Sequence, residues 1–121
     1  MRQWETLLES EQSPYTVVVE KTWEEVSPGD YLDLSEQELV DTIDRIDQGL
    51  LDWFTLRVRI LGLHGVELAR TTVGGFLYED AQEVVRDGTV QDLIKSTVEE
   101  AGQFALELRK WLAGLDLTES Q

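Results

Sequence analysis

Trp53-Phe54-Thr55-Leu56-Arg57-Val58-Arg59-Ile60 alternates apolar and polar side chains, and after Leu61-Gly62-Leu63-His64-Gly65 the chain returns through Val66-Glu67-Leu68-Ala69-Arg70-Thr71-Thr72. Alternation at the strand period on both sides of a short glycine-bearing loop predicts a β-hairpin with one buried face. If Ile60 faces Val66, then Val58 faces Leu68 on the core side, while Arg59 faces Glu67 and Arg57 faces Ala69 outside. That register aligns both apolar faces, so it is the expected one.

Downstream, Gly74-Gly75 permits a bend or bulge, after which Phe76, Leu77 and Tyr78 return apolar area to the core. A long helix is predicted from Thr89, as N-cap, to Leu112. Val90, Leu93, Ile94, Val98, Ala101, Phe104, Ala105, Leu108, Trp111 and Leu112 recur at helical spacing and give it a broad apolar face.

Upstream, Ser35 followed by Glu38 forms a capping box, which starts a second helix at Glu36. Leu39, Val40, Ile43, Ile46 and Leu50 are its expected buried stripe, and Gly49 its stop. Ser27-Pro28-Gly29-Asp30 reads as a type II turn. Tyr15 to Trp23 is rich in β-branched and aromatic residues, as a strand buried on both faces should be. Residues 2–10 place Trp4, Leu7 and Leu8 at helical spacing, so a short N-terminal helical turn is expected there.

The expected order is therefore strand, helix, strand, strand, long helix. This is an α+β fold: a three- or four-stranded, mostly antiparallel sheet with two main helices on one face. A helix between the first two strands permits a crossover, and with it some parallel pairing. The 121 residues suit a single domain.

Charge restricts the function classes. The chain has 25 Asp and Glu against 10 Lys and Arg, a net charge of −15. Residues 1–50 hold thirteen acids and three bases, whereas residues 51–121 hold twelve and seven. Such a field repels nucleic acid and anionic membranes and attracts basic partners. With 41% hydrophobic residues and four Trp, the chain has too much apolar material for a disordered acidic tail. It has no cysteine, which excludes disulfides, thiolate metal sites and cysteine nucleophiles. No segment approaches the roughly 20 apolar residues of a membrane helix, and the start lacks a signal-peptide core, so a cytoplasmic location is expected.

Catalytic chemistry finds little to work with. His64 is the sole histidine and sits in a loop beside no orienting carboxylate, which leaves neither a triad nor an ordinary zinc site. No EF-hand spacing and no phosphate-binding glycine pattern occurs, so neither an enzyme nor a cofactor is expected. Arg57, Arg59 and Arg70 could gather on the open sheet face, where Glu67 is the expected cross-strand partner of Arg59.

The carboxylates of the first half are the remaining signal. Glu24, Glu25, Asp30 and Asp33 precede the second helix, and Glu38, Asp41 and Asp44 project from it. Asp41 and Asp44 are like charges one turn apart, and Asp47 lies in the last turn, where the helix dipole disfavours it. Such a face either solvates the helix or imitates a phosphate backbone toward a basic groove. Small, cysteine-free, acidic α+β chains resemble phage- and plasmid-encoded inhibitors of bacterial defence nucleases, the anti-CRISPR and anti-restriction proteins of the DNA-mimic kind. The stretch from Val58 to Glu100, through His64-Gly65-Val66-Glu67-Leu68 and Val73-Gly74-Gly75, also resembles short phage-encoded proteins over about a third of the chain. The resemblance implies a non-enzymatic inhibitor of a basic nucleic-acid-binding partner, a nuclease or defence complex, acting in the host cytoplasm. The resemblance supplies no site residue; the binding face expected from the carboxylates themselves is Glu24, Glu25, Asp30, Asp33, Glu38, Asp41 and Asp44. The alternative is a structural or regulatory module that self-associates as a homodimer, with Leu63 and Leu106 as apolar surface residues.

Overall fold

A computed structural model describes residues 3–115. Four antiparallel strands, β1 (Glu5–Glu11), β2 (Thr16–Trp23), β3 (Asp52–Leu61) and β4 (Glu67–Tyr78), form one sheet in sequential order. Helices α1 (Pro28–Tyr31) and α2 (Glu36–Asp47) lie between β2 and β3, and α3 (Glu83–Arg86) and α4 (Thr89–Leu115) follow β4. The fold is α+β, as expected, with the order β-β-α-α-β-β-α-α in place of β-α-β-β-α. None of the described helices is long and apolar enough to cross a membrane.

The expected N-terminal helical turn is a strand instead; its first residue, Arg2, lies outside the described residues. β1 pairs with β2 from Glu5↔Lys21 to Glu11↔Thr16, with a bulge between Thr6 and Leu8. The bulge is the reason helical spacing misleads here. One unpaired residue lets the consecutive Leu7 and Leu8 both pack on the core, which a regular strand would forbid.

Among the described residues every strand pair is antiparallel, so the crossover that would bring parallel pairing is absent there. β2 pairs antiparallel with β3 from Thr16↔Leu61 to Trp23↔Phe54, so the segment carrying α1 and α2 leaves and re-enters at the same end of the sheet. It is an elaborated hairpin connection that projects from the sheet end.

Side-chain alternation divides the sheet into two faces. On one, Val17, Val19, Phe54, Leu56, Val58 and Ile60 meet Ala81 and Val84 around α3 and Val90 and Ala101 of α4, with Leu93, Ile94 and Val98 beside them. Phe54 stacks on Phe76 at 5.8 Å between centroids. Thr97, fully buried, is joined to the strand by its hydroxyl, 2.7 Å from that of Thr71.

The β3–β4 hairpin exists, but three residues out from the expected register. Ile60 faces Ala69, Val58 faces Thr71 and Arg59 faces Arg70. The hairpin closes at Leu61↔Glu67, beside a single 3₁₀ turn at Leu63–Gly65 in which His64 takes φ 59°, already two residues out, and an irregularity between Ile60 and Leu61 adds the third. Pairing restarts at Leu61↔Glu67, which leaves Leu68 free to pack inward without a regular partner. The bulge expected at Gly74-Gly75 is present: Phe54↔Phe76 and Leu56↔Val73 leave both glycines opposite Thr55, with Gly75 at φ 85°.

Only the first half of α4 lies on the sheet. Phe104, Leu108, Trp111 and Leu112, expected in the core, are 41–60% exposed because the helix runs past the sheet it packs on. It continues through Gly114 to Leu115, beyond the expected end at Leu112.

Candidate functional site

The acidic segment is held to the sheet by one buried carboxylate. Glu24, at the end of β2, is 4% exposed. Its Oε1 accepts from the Thr55 hydroxyl at 2.7 Å and from the Gly75 amide at 2.9 Å, and its Oε2 accepts from the Val26 amide at 3.1 Å. Glu24 is thus withdrawn from the solvent-facing acids with which it was grouped. A buried carboxylate needs donors, and the bulge at Gly74-Gly75 turns one toward it. A Cβ on Gly74 would stand 2.3 Å from that oxygen, so the absent side chain makes the close approach feasible.

Ring contacts reinforce this anchor. Trp53 donates its indole N–H to the Val26 carbonyl at 2.8 Å, and the Tyr31 ring meets Trp53 edge-on at 5.8 Å. The four residues expected to form a type II turn open α1: Ser27 caps it, Pro28 takes the first position, and Gly29 has no positive φ. Proline's fixed φ and missing N–H suit that position as well as they suit a turn. Leu39 of α2 packs over Gly29, coupling the two helices.

α2 begins as expected. Ser35 accepts from the Glu38 amide at 3.2 Å while the Glu38 carboxylate accepts from the Ser35 amide at 2.9 Å. Those hydrogen bonds from Ser35 hold the Glu38 carboxyl below its ordinary range. Asp41 accepts from Gln37 at 3.1 Å and Asp44 from Gln48 at 2.7 Å, each within one turn. Glu25, Asp30, Asp33, Glu36, Glu38, Asp41, Asp44 and Asp47 are all exposed, and Arg45 is the one base between residues 24 and 47. Asp30, Asp33, Asp41, Asp44 and Asp47 enter no ion pair among the described residues.

The apolar stripe of α2 is not a core stripe. No residue of the helix is buried; Val40 is 61% exposed and nearby Leu50 53%. A helix at the sheet end has no sheet beneath it. Ile43 and Ile46, with Trp23, Val26 and Trp53, instead line a shallow cleft of about 250 Å³. A second cleft of about 370 Å³ runs from Ile46 and Trp23 to Lys21, whose ammonium pairs with Asp52 and reaches Glu5 at 3.9 Å. The candidate surface therefore combines exposed carboxylates with exposed apolar residues on one short helix.

The open sheet face carries a different charge cluster, centred on a residue the sequence pattern did not single out. Glu20 is 6% exposed and accepts from Arg57 Nε and Arg59 Nε, both at 2.9 Å, and from Arg59 Nη2 at 3.1 Å. Burial raises the Glu20 carboxyl pKa, but the two guanidiniums outweigh it and hold the group below its ordinary value; Glu20 in turn raises Arg59. Arg70 pairs with Glu67 at 3.1 Å, and Glu67 reaches Arg59 at 3.9 Å. Arg59 and Arg70 face each other across the hairpin, an arrangement that like charges tolerate only with carboxylates between them. Trp4 covers the Arg57 guanidinium at 3.8 Å. Each guanidinium of this cluster has a carboxylate partner. An acid inside the run Val17-Val18-Val19-Glu20 was the one available signal.

Comparison of the chain with known protein families, curated proteins and solved structures found no match.

Proposed function

We propose that this chain is a non-enzymatic binding protein that occupies a basic surface of a nucleic-acid-handling partner through its α1–α2 segment, as an anti-CRISPR or anti-restriction DNA mimic would. The observation that carries the reading is the eight exposed carboxylates between Glu25 and Asp47, set against one base, on a segment anchored by Glu24. An anchored segment presents its charges with little ordering left to be done on binding. A face that only solvates the helix needs no such anchor. Exposed Val40 and Ile43 add apolar contact area beside the carboxylates, so electrostatic attraction sets encounter and the apolar residues slow release.

The test is capture of binding partners at low salt with the intact chain immobilised, followed by a salt gradient and by competition with duplex DNA. Nucleic-acid-binding proteins should be retained, released between roughly 50 and 500 mM salt as screening sets in, and displaced by the duplex. Asp41→Asn with Asp44→Asn should weaken retention. Binding that ignores both salt and the double substitution overturns the reading.

A further inference from the structure

The apolar seam that α4 lays on the sheet does not stop where the sheet stops. Val90, Ile94, Thr97 and Ala101 alternate intervals of four and three residues and face the core side. Phe104, Leu108, Trp111 and Leu115 continue the same alternation without a break, which is the spacing of a coiled-coil seam. Every residue from Gly102 to Leu115 is exposed, an arm of roughly 21 Å at the helical rise. Trp111 alone is 60% exposed.

We infer that this arm is a self-association surface on which two copies of the chain pair antiparallel, seam to seam, as a symmetric dimer. Charge selects the occupant. Residues 102–115 contain Glu107 against Arg109 and Lys110, a net of +1 on a chain of −15, so a second copy can approach here without the repulsion that its remaining surface generates. The other exposed apolar stripe, on α2, lies among eight carboxylates, and pairing it with itself would bring those charges together. Basic partners are drawn to that acidic half, away from the arm.

Charge also selects the orientation. Antiparallel arms carry the two acidic bodies to opposite ends, whereas parallel arms would set them side by side. In the antiparallel register Leu108 lies against Trp111 of the second copy and Phe104 against Leu115, so neither aromatic residue faces its own equivalent. The exposed parts of these residues and Leu112 amount to roughly 500 Å² per copy, near the lower bound for a specific interface, which sets the expected dimer in the micromolar range. Pairing also supplies the tertiary support that a lone exposed helical stretch of this length lacks.

Sedimentation equilibrium of the full chain should show a reversible monomer–dimer equilibrium, and Leu108→Glu with Trp111→Glu should raise its midpoint at least about tenfold. Both residues are exposed in the monomer, so circular dichroism of the sheet signal should persist. The cysteine-free background allows a second arm. A mixture of Leu108→Cys and Trp111→Cys chains should form mixed disulfide dimers faster than either variant alone. A strict monomer up to about 1 mM, a dimer indifferent to the glutamate pair, or faster self-crosslinking of Leu108→Cys alone each overturns the proposal. Because the α2 carboxylates take no part, Asp41→Asn with Asp44→Asn should leave the dimer in place, which separates this result from the fate of the partner-binding reading.

Discussion

The Gly75 amide donates to the Glu24 carboxylate at 2.9 Å, joining residues 51 positions apart and tying the acidic segment to the bulge of β4. With Thr55 and Val26 as further donors, both carboxylate oxygens are occupied as acceptors. Glu24→Gln places an NH₂ donor where one of those donors now points, leaving a buried polar group unsatisfied. It should cost about 1–3 kcal/mol in urea denaturation. Asp33→Asn, at an exposed position of the same segment, should change stability by less than about 0.5 kcal/mol. Equal effects from the two would show that charge number, not the anchor, is what matters.

Gly74 and Gly75 should be intolerant for two different reasons. At Gly74 a Cβ would stand 2.3 Å from Glu24 Oε1 and 2.7 Å from the Tyr31 hydroxyl oxygen. At Gly75 the obstacle is φ 85° together with the Tyr31 ring at 3.0 Å. Gly74→Ala and Gly75→Ala are each expected to lower stability by about 2–3 kcal/mol. Combining Gly74→Ala with Glu24→Ala should recover part of the first loss by removing the carboxylate it strikes, whereas the Gly75 loss should persist. Thermal midpoints of the single and double variants decide this.

Glu20 makes stability depend on acid. Its folded pKa lies below the ordinary glutamate value because Arg59 and Arg57 outweigh its burial. A depressed carboxylate contributes stability that is present above its unfolded pKa and is lost as pH falls through the folded one. Glu20→Gln should therefore cost about 1–3 kcal/mol at pH 7 by stranding two guanidiniums, with the gap from wild type closing below about pH 4. Denaturation curves across pH 2.5–7 measure the difference directly, so the general relief of repulsion on acidification cancels. A gap of constant size would mean that packing, not the ion pair, sets the effect.

What could be read from the sequence was local. The Ser35–Glu38 capping box and the bulge at Gly74-Gly75 depend on residues within one turn of each other, and both are present, whereas Thr89, expected as the cap of α4, is its first helical residue and its amide donates to Asp87 Oδ1 at 2.9 Å. What failed depended on distant chain. Leu7 and Leu8 share a face because β1 bulges against β2, and the β3–β4 register moved because the hairpin closes at Leu61↔Glu67 and an irregularity beside Leu61 adds one further residue. The apolar stripe of α2 looks like any core stripe; only the pairing of Trp23 with Phe54 shows that this helix sits beyond the sheet end. Likewise the period of α4 is unbroken across Ala101, so nothing local marks where the sheet beneath it stops. Among the acids, exposure held for Glu25, Asp30, Asp33, Glu38, Asp41 and Asp44 and failed for Glu24, whose donors come from Thr55 and Gly75.

The hydroxyls of Thr71 and Thr97 should show how α4 is fastened to β4. Thr97 donates to the Leu93 carbonyl at 2.6 Å, which uses its only proton, so in the 2.7 Å contact between the two hydroxyls Thr71 is the donor and Thr97 the acceptor. The roles are unequal, and so should be the costs. Thr97→Val removes the acceptor and strands the Thr71 proton beneath the helix, at about 1–2 kcal/mol. Thr71→Val leaves Thr97 with its donor satisfied and one lone pair empty, at about 0.5 kcal/mol. The double variant replaces both hydroxyls with methyls of similar shape in a site where Thr97 is fully buried, so it should cost less than the sum of the two, with a coupling near 1 kcal/mol. Additive losses would mean that the two hydroxyls act separately and that apolar packing alone holds the helix to the sheet.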